Sequence, residues 1–247
     1  MATKDQQQTA AMLAIYLSEK ADSLEDLVGP DMVPDLSARL TPLGCGTFGC
    51  VYAIPRPGWV LKVTLDESEG AFVAAAQAIG RFPPGIVRYD LLIDDATRQE
   101  LYEPLFGPKQ TLFMLWREEA FFGPETQERR ASAEQGLRAH WAKADGLRVA
   151  QRRMLGLARR KGESAQAKRD HTKAELQFAK QRRDYELLLE GPVREDALPI
   201  RDMLLFYLRQ GWVLRDLRIA NFGVVRRRDR EIVVVTDPGQ AFWIGAA

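Results

Sequence analysis

The spacing of apolar residues changes period several times along the chain, and each change marks an element. Met12, Leu13, Tyr16 and Leu17 share one helical face within residues 5–20. A shorter helical piece follows Ser23, and Pro30 and Pro34 break the pattern, which predicts a helical extension over residues 1–40. The period then shortens. Val51-Tyr52-Ala53-Ile54 and Trp59-Val60-Leu61-Lys62-Val63 read as two strands around the turn Pro55-Arg56-Pro57-Gly58. Asp66-Glu67-Ser68-Glu69 opens a helix that carries Phe72, Val73, Ala75, Ala76 and Ile79 and ends at Gly80. Further strands are expected over Gly85–Ile93 and Thr111–Trp116.

From about Glu125 to Glu190 the pattern becomes helical on a larger scale. Leu137, Trp141, Ala144, Leu147, Ala150, Met154 and Leu157 form one stripe; Ala167, His171, Ala174, Phe178, Tyr185 and Leu188 form another. Steps of three and four predict two amphipathic helices, each about 40 Å long if roughly 27 residues rise 1.5 Å apiece. Arg159-Arg160-Lys161-Gly162-Glu163 would turn the chain between them. His171 falls on the apolar seam, the place of a core histidine rather than a ligand. A helix around Asp196–Gln210 ends at Gly211. Val224-Val225 and Ile232–Val235 then predict a hairpin over the polar turn Arg226–Glu231.

Composition narrows the class. The 247 residues are 46% apolar and 28% charged, as in ordinary globular proteins. A net charge of +1 makes no overall case for nucleic acid or an anionic membrane. Its distribution is uneven: residues 125–190 carry sixteen Lys/Arg against ten Asp/Glu, so this stretch is basic while the remainder is acidic. A solvated hairpin packed by its own seam accounts for most of these charges; a docking arm for an acidic partner or nucleic acid is the functional alternative. No run approaches membrane-spanning length, and the N-terminus is not a secretory signal. Cys45 and Cys50 are too few for a disulfide framework and fit a reducing cytosol. They flank a glycine loop, where two unpaired cysteines are expected and an oxidative brake is the alternative. A cytoplasmic protein without membrane contact is expected.

The candidate chemistry lies in four places. Gly44, Gly46 and Gly49 with Val51 complete G-x-G-x-x-G-x-V around Thr47 and Phe48. In a dinucleotide fold such glycines open a helix. Here a strand follows, so they cap a hairpin whose backbone N–H groups can close over phosphates. Lys62 alternates with Leu61 and Val63 and so points to the opposite face of its strand. Asp216 and Asn221 stand five positions apart in the loop Val213–Gly223, and Asp237-Pro238-Gly239 follows.

This set, in this order, resembles the protein-kinase superfamily, whose signature and division of roles are well described. The resemblance spans residues 44–239 and leaves out the N-terminal extension and the helical insertion. It implies an α+β, protein-kinase-like bilobal fold: a helical extension (1–40), a small antiparallel N-lobe with hinge (41–118) and a reduced helical C-lobe (119–247) into which the hairpin is inserted. It also implies ATP and Mg²⁺ as cofactors. Lys62 would steady the nucleotide phosphates, and Glu69, which shares a helix face with Phe72, Val73 and Ala76, would orient Lys62; Glu67 is the competitor. Gly44, Gly46, Thr47, Phe48, Gly49 and Val51 would cover the nucleotide. Leu115 and Arg117 would border it, with Arg117-Glu118-Glu119 as the hinge that grips adenine. Asp237 and Asn221 would hold Mg²⁺. Asp216 would accept the hydrogen bond of the acceptor hydroxyl, and Arg218 stands where many kinases carry a phosphate-touching Lys.

The pattern departs from the family in three ways. Leu214 replaces the usual His before Arg215-Asp216, and Pro238 replaces the usual Phe after Asp237. The sequence ends at Ala247, soon after Gly239, so no activation segment of normal length is expected and Arg215 has no phosphorylated loop to hold. The expected function is a compact bacterial- or phage-type serine/threonine protein kinase, its substrate a protein, for a phage kinase one of the host cell. The competing expectation is a nucleotide-binding pseudokinase or interaction module that grips a partner with the basic hairpin; nucleic-acid binding by that arm is a third.

Overall fold

The computed structural model describes residues 41–45, 49–53, 57–64, 66–91, 113–158 and 164–245. The expected N-terminal extension, the tip of the glycine loop (46–48) and the turn between the two long helices lie outside these residues. The fold is mixed α+β, and the chain divides into two compact units: one formed mainly by residues up to Ala120, the other by Phe121 onward together with Pro83–Ile86.

In the first unit, strands β1 (Pro42–Cys45), β2 (Gly49–Ala53), β3 (Trp59–Thr64), β4 (Tyr89–Leu91) and β5 (Phe113–Glu118) form one antiparallel sheet in the order β1-β2-β3-β5-β4. The β2–β3 hairpin falls where the apolar runs predict it, in the register Val51↔Lys62 and Tyr52↔Leu61. Helix α1 (Glu67–Ile79) also has the predicted ends. Asp66 caps it by accepting from the backbone N–H groups of Ser68 (2.9 Å) and Glu69 (3.4 Å). Gly80 ends it in the left-handed region (φ 71°), which a side chain would resist. Its inner face buries Glu69, Phe72, Val73 and Ala76, and the sheet contributes Tyr52, Leu61, Val63, Tyr89 and Leu115 to the core.

Two strands differ from expectation. The run from Gly85 is a strand only from Tyr89; before it, Ile86 makes an isolated parallel bridge to Val235 within the second unit. β5 runs on through Arg117 and Glu118 instead of stopping at Trp116, because β3 and β4 pair with it on both sides as far as Arg117.

The second unit is built on α2 (Gln127–Ala158) and α3 (Ala165–Glu190), which pack along the two predicted stripes. Leu137, Ala144, Leu147 and Ala150 on α2 and His171, Ala174, Phe178, Tyr185 and Leu189 on α3 are buried. Leu188 is only half-buried, and its neighbour Leu189 takes the interior position. At 32 residues α2 is about 48 Å long, longer than the stripe alone suggested. Helix α4 (Leu198–Arg209) packs on α3. Two small ribbons complete the unit: β6 (Trp212–Val213) with β9 (Phe242–Trp243), and β7 (Phe222–Arg227) with β8 (Arg230–Val235). The β7–β8 turn is tighter than predicted: Arg228 and Asp229 alone make it, both at positive φ. Among the described residues, no helix is long and apolar enough to cross a membrane.

Candidate functional site

In the first unit the site is a lysine held inside a sheet. Lys62 sits mid-strand between Val51 on β2 and Leu115 on β5, and is only 5% exposed. Its ammonium lies 2.8 Å from both carboxylate oxygens of Glu69, which is fully buried on α1. Glu67 is exposed, so Glu69 is the partner. Tyr89, which sequence reasoning missed, donates its hydroxyl to the same carboxylate at 3.3 Å. An ordinary β-strand tyrosine gives no local sign of that duty.

The glycine loop enters through β1 and leaves through β2. A Cβ at Gly49 would fall 2.2 Å from the Val63 carbonyl oxygen, so the close approach of β2 to β3 at this point requires glycine. Gly46, Thr47 and Phe48 lie outside the described residues. Cys50 is disulfide-bonded, and the other cysteine of the chain is Cys45, its cross-strand neighbour. This corrects the expectation of an unpaired thiol at Cys50. Cysteine usage therefore no longer argues for a reducing compartment. Of the three expected hinge residues, Arg117 and Glu118 belong to β5 and Glu119 follows it. Arg117 is buried in β5, with strands on both flanks, and Glu119, the first residue beyond the strand, donates its N–H to the Gly58 carbonyl at 2.9 Å. Leu115 contributes a side chain next to Lys62 in register rather than an open backbone edge.

In the second unit the loop between β6 and β7 is tied to itself. The Asn221 carboxamide donates from Nδ2 to the Asp216 carbonyl at 3.0 Å, which spans the loop and leaves Oδ1 as the acceptor end of the amide. Leu217 N–H donates to the Arg215 carbonyl at 3.0 Å. Asp216, its side chain 12% exposed, receives a two-pronged guanidinium from Arg218, with Nε at 2.5 Å and Nη2 at 2.6 Å. Arg218 itself is 52% exposed. The hydrogen bonds to Asp216, its charge and then that of Asp237 raise the already high pKa of this guanidinium. Thr236 donates both its N–H (2.8 Å) and its hydroxyl (3.1 Å) to the Asn221 carbonyl, which brings Asp237 back to the loop, as the hairpin pattern predicts. Asp237 in turn accepts from the Gly239 N–H at 3.0 Å. Leu214 and Pro238, the two departures from the family pattern, are both buried.

The chain shows no match to any family model, curated protein or solved structure.

Asp216, Arg218, Asn221 and Asp237 are gathered in the second unit; Lys62 and Glu69 are joined in the first. Among the described residues, no group of three or more His, Cys, Asp or Glu side chains is set to hold a metal. The Asn221 carboxamide oxygen and the Asp237 carboxylate are nonetheless hard oxygen donors of the kind Mg²⁺ takes. Since Mg²⁺ keeps several waters and shares substrate oxygens, two protein donors suffice.

Helix α2 supplies contacts that sequence reasoning also missed. Arg130, 7% exposed, donates to the Phe122 carbonyl at 3.1 Å and the Ile219 carbonyl at 2.9 Å. Burial lowers the pKa of its guanidinium somewhat. Glu134 accepts the Ile219 N–H at 2.9 Å. Asp145 lies 2.8 Å from the Arg215 guanidinium. Arg130 and Glu134 stand at i, i+4 spacing, but a helix so rich in charge offers many such pairs and nothing local marks this one as turned inward.

Proposed function

We propose that this chain is a compact ATP- and Mg²⁺-dependent phosphotransferase that acts on a serine or threonine hydroxyl of a protein, in the manner of the protein-kinase superfamily it resembles. The bilobal arrangement of that superfamily belongs to the same proposal. One observation supports it above the others: a charged lysine buried in the glycine-hairpin sheet, with a fully buried glutamate on it at 2.8 Å. Burying such a pair is expensive, and apolar side chains of similar volume would often serve stability as well or better. A fold that keeps the pair next to a glycine loop is using the ammonium for something else, and holding phosphate is the use that fits.

Bound ATP with Mg²⁺ supplies an activated phosphoryl group, and positioning and charge neutralisation supply most of the rate. Lys62 neutralises phosphate charge while Glu69 and Tyr89 hold its position. Asn221 and Asp237 present oxygens to Mg²⁺. Asp216 accepts the hydrogen bond of the acceptor hydroxyl, since an ionised carboxylate has about four lone-pair sites and the Arg218 fork uses two. Arg218, exposed and permanently charged, can share its guanidinium between Asp216 and the transferred phosphate.

A second reading, a nucleotide-holding module that does not transfer and docks through its basic hairpin, is favoured by that same fork on Asp216. Incubating wild type and Asp216→Ala with γ-labelled ATP, Mg²⁺ and a cell lysate separates the two. Transfer requires label on protein with wild type and a loss of orders of magnitude in the variant. Equal labelling by both, or none by either, removes this site from catalysis.

A further inference from the structure

We infer that helix α2, part of the insertion that lies outside the kinase resemblance, is the positioning element of the Asp216–Asn221 loop, and that Arg130 and Glu134 are its positioning residues. This rests on the phosphotransfer reading above and extends it to what keeps that site in working order.

Ile219 lies between the two residues that matter, and α2 takes both of its backbone groups. Glu134 accepts the N–H at 2.9 Å and Arg130 donates to the carbonyl at 2.9 Å. Rotating the loop backbone at Ile219 therefore breaks two charge-assisted hydrogen bonds at once. Arg130 is itself anchored. It donates to the Phe122 carbonyl and lies 5.3 Å from the Phe122 ring centre. Phe121, next to Phe122, exchanges backbone hydrogen bonds with Val224 of β7 at 2.8 and 3.0 Å. The loop, the start of β7 and the first turns of α2 thus form one hydrogen-bonded block.

The same helix reaches the loop a third time. Asp145 stands eleven residues beyond Glu134, about three helical turns, and so on nearly the same face. It meets the Arg215 guanidinium at 2.8 Å, immediately before Asp216. A carboxylate that is part of the fold thus already occupies the loop arginine, so the loop needs no added phosphate to be held. Arg130, Glu134 and Asp145 act on Asp216 and Asn221 through the backbone and Arg215, without touching the reacting groups.

Glu134, half-buried at the surface of α2, is the residue to change. Hydrogen exchange in Glu134→Ala is expected to speed the Ile219 amide by about tenfold or more, while the β7–β8 amides stay as in wild type. In transfer assays the same variant is expected to lower kcat by about tenfold or more with little change in KM for ATP, and Glu134→Gln, which keeps the acceptor oxygen, is expected to restore most of it. Unchanged protection at Ile219, or unchanged kcat in an active enzyme, overturns the inference. If the wild type transfers no phosphate, the functional reading falls, and exchange at Ile219 still decides whether α2 holds the loop.

Discussion

Two ion pairs, one in each unit, show opposite uses of charge. Lys62–Glu69 is sealed: both side chains are almost wholly buried, and a tyrosine hydroxyl donates to the glutamate as well. Asp216–Arg218 is open, with a geometrically good fork whose arginine is half in solvent. Burial makes the first pair rigid and costly to disturb; solvent makes the second nearly free to rearrange. A group that must hold a phosphate in one place suits the first setting. Groups that must exchange hydrogen bonds during a reaction suit the second.

The largest effect should come from breaking the sealed pair on one side. Glu69→Ala leaves a buried ammonium without its counter-charge, and unfolding in urea is expected to show a loss of about 3–5 kcal/mol. Combining Lys62→Met with Glu69→Leu should recover most of that loss while leaving the protein inactive. If the single and double variants are equally unstable, the pair is not coupled as described. The open pair should behave in the reverse way. Arg218→Ala, which removes the half-exposed partner of the pair, is expected to change stability by no more than about 1 kcal/mol, yet to lower turnover. A large drop in stability would make Arg218 a structural residue.

Smaller again is an effect of pH on the hairpin. His140, buried on α2, has its pKa lowered, first by desolvation and further by the charge of Arg201, with the Leu188 backbone opposing both. The folded protein therefore favours neutral His140. Its contribution is present above the ordinary histidine range near pH 6.5 and is lost as pH falls through the lower folded value. For one proton the slope cannot exceed about 1.4 kcal/mol per pH unit. Denaturant titrations from pH 7.5 to 5 should show that loss in wild type and less of it in His140→Gln; equal slopes would place the titration elsewhere.

The two pairs also differ in how far the sequence announces them. Lys62 and Glu69 are seven residues apart, and a strand, a capped turn and a helix face are enough to aim them at each other. Asp66 as cap, Gly80 as stop and the apolar face shared with Phe72 are all local signals. The surroundings of Asp216 depend instead on partners far along the chain. Glu134 and Arg130 reach Ile219 across 85 and 89 residues, and no periodicity within α2 records which of its charges face inward. The same limit hid the extension of β5 through Arg117, which is set by strands on both flanks rather than by its own residues. The state of Cys50 is a different case: its position opposite Cys45 follows from the hairpin register, but a count of two cysteines favours free thiols over the oxidised alternative.

Nucleotide binding tests the central claim most directly. Titrating ATP into wild type, Lys62→Met and Asp237→Asn, with and without Mg²⁺, separates the roles. Wild type should bind; Lys62→Met should bind about tenfold more weakly or worse in either condition, and Asp237→Asn should lose the part of the affinity that Mg²⁺ adds. Wild type that fails to bind ATP, or variants that bind it as wild type does, would contradict the account.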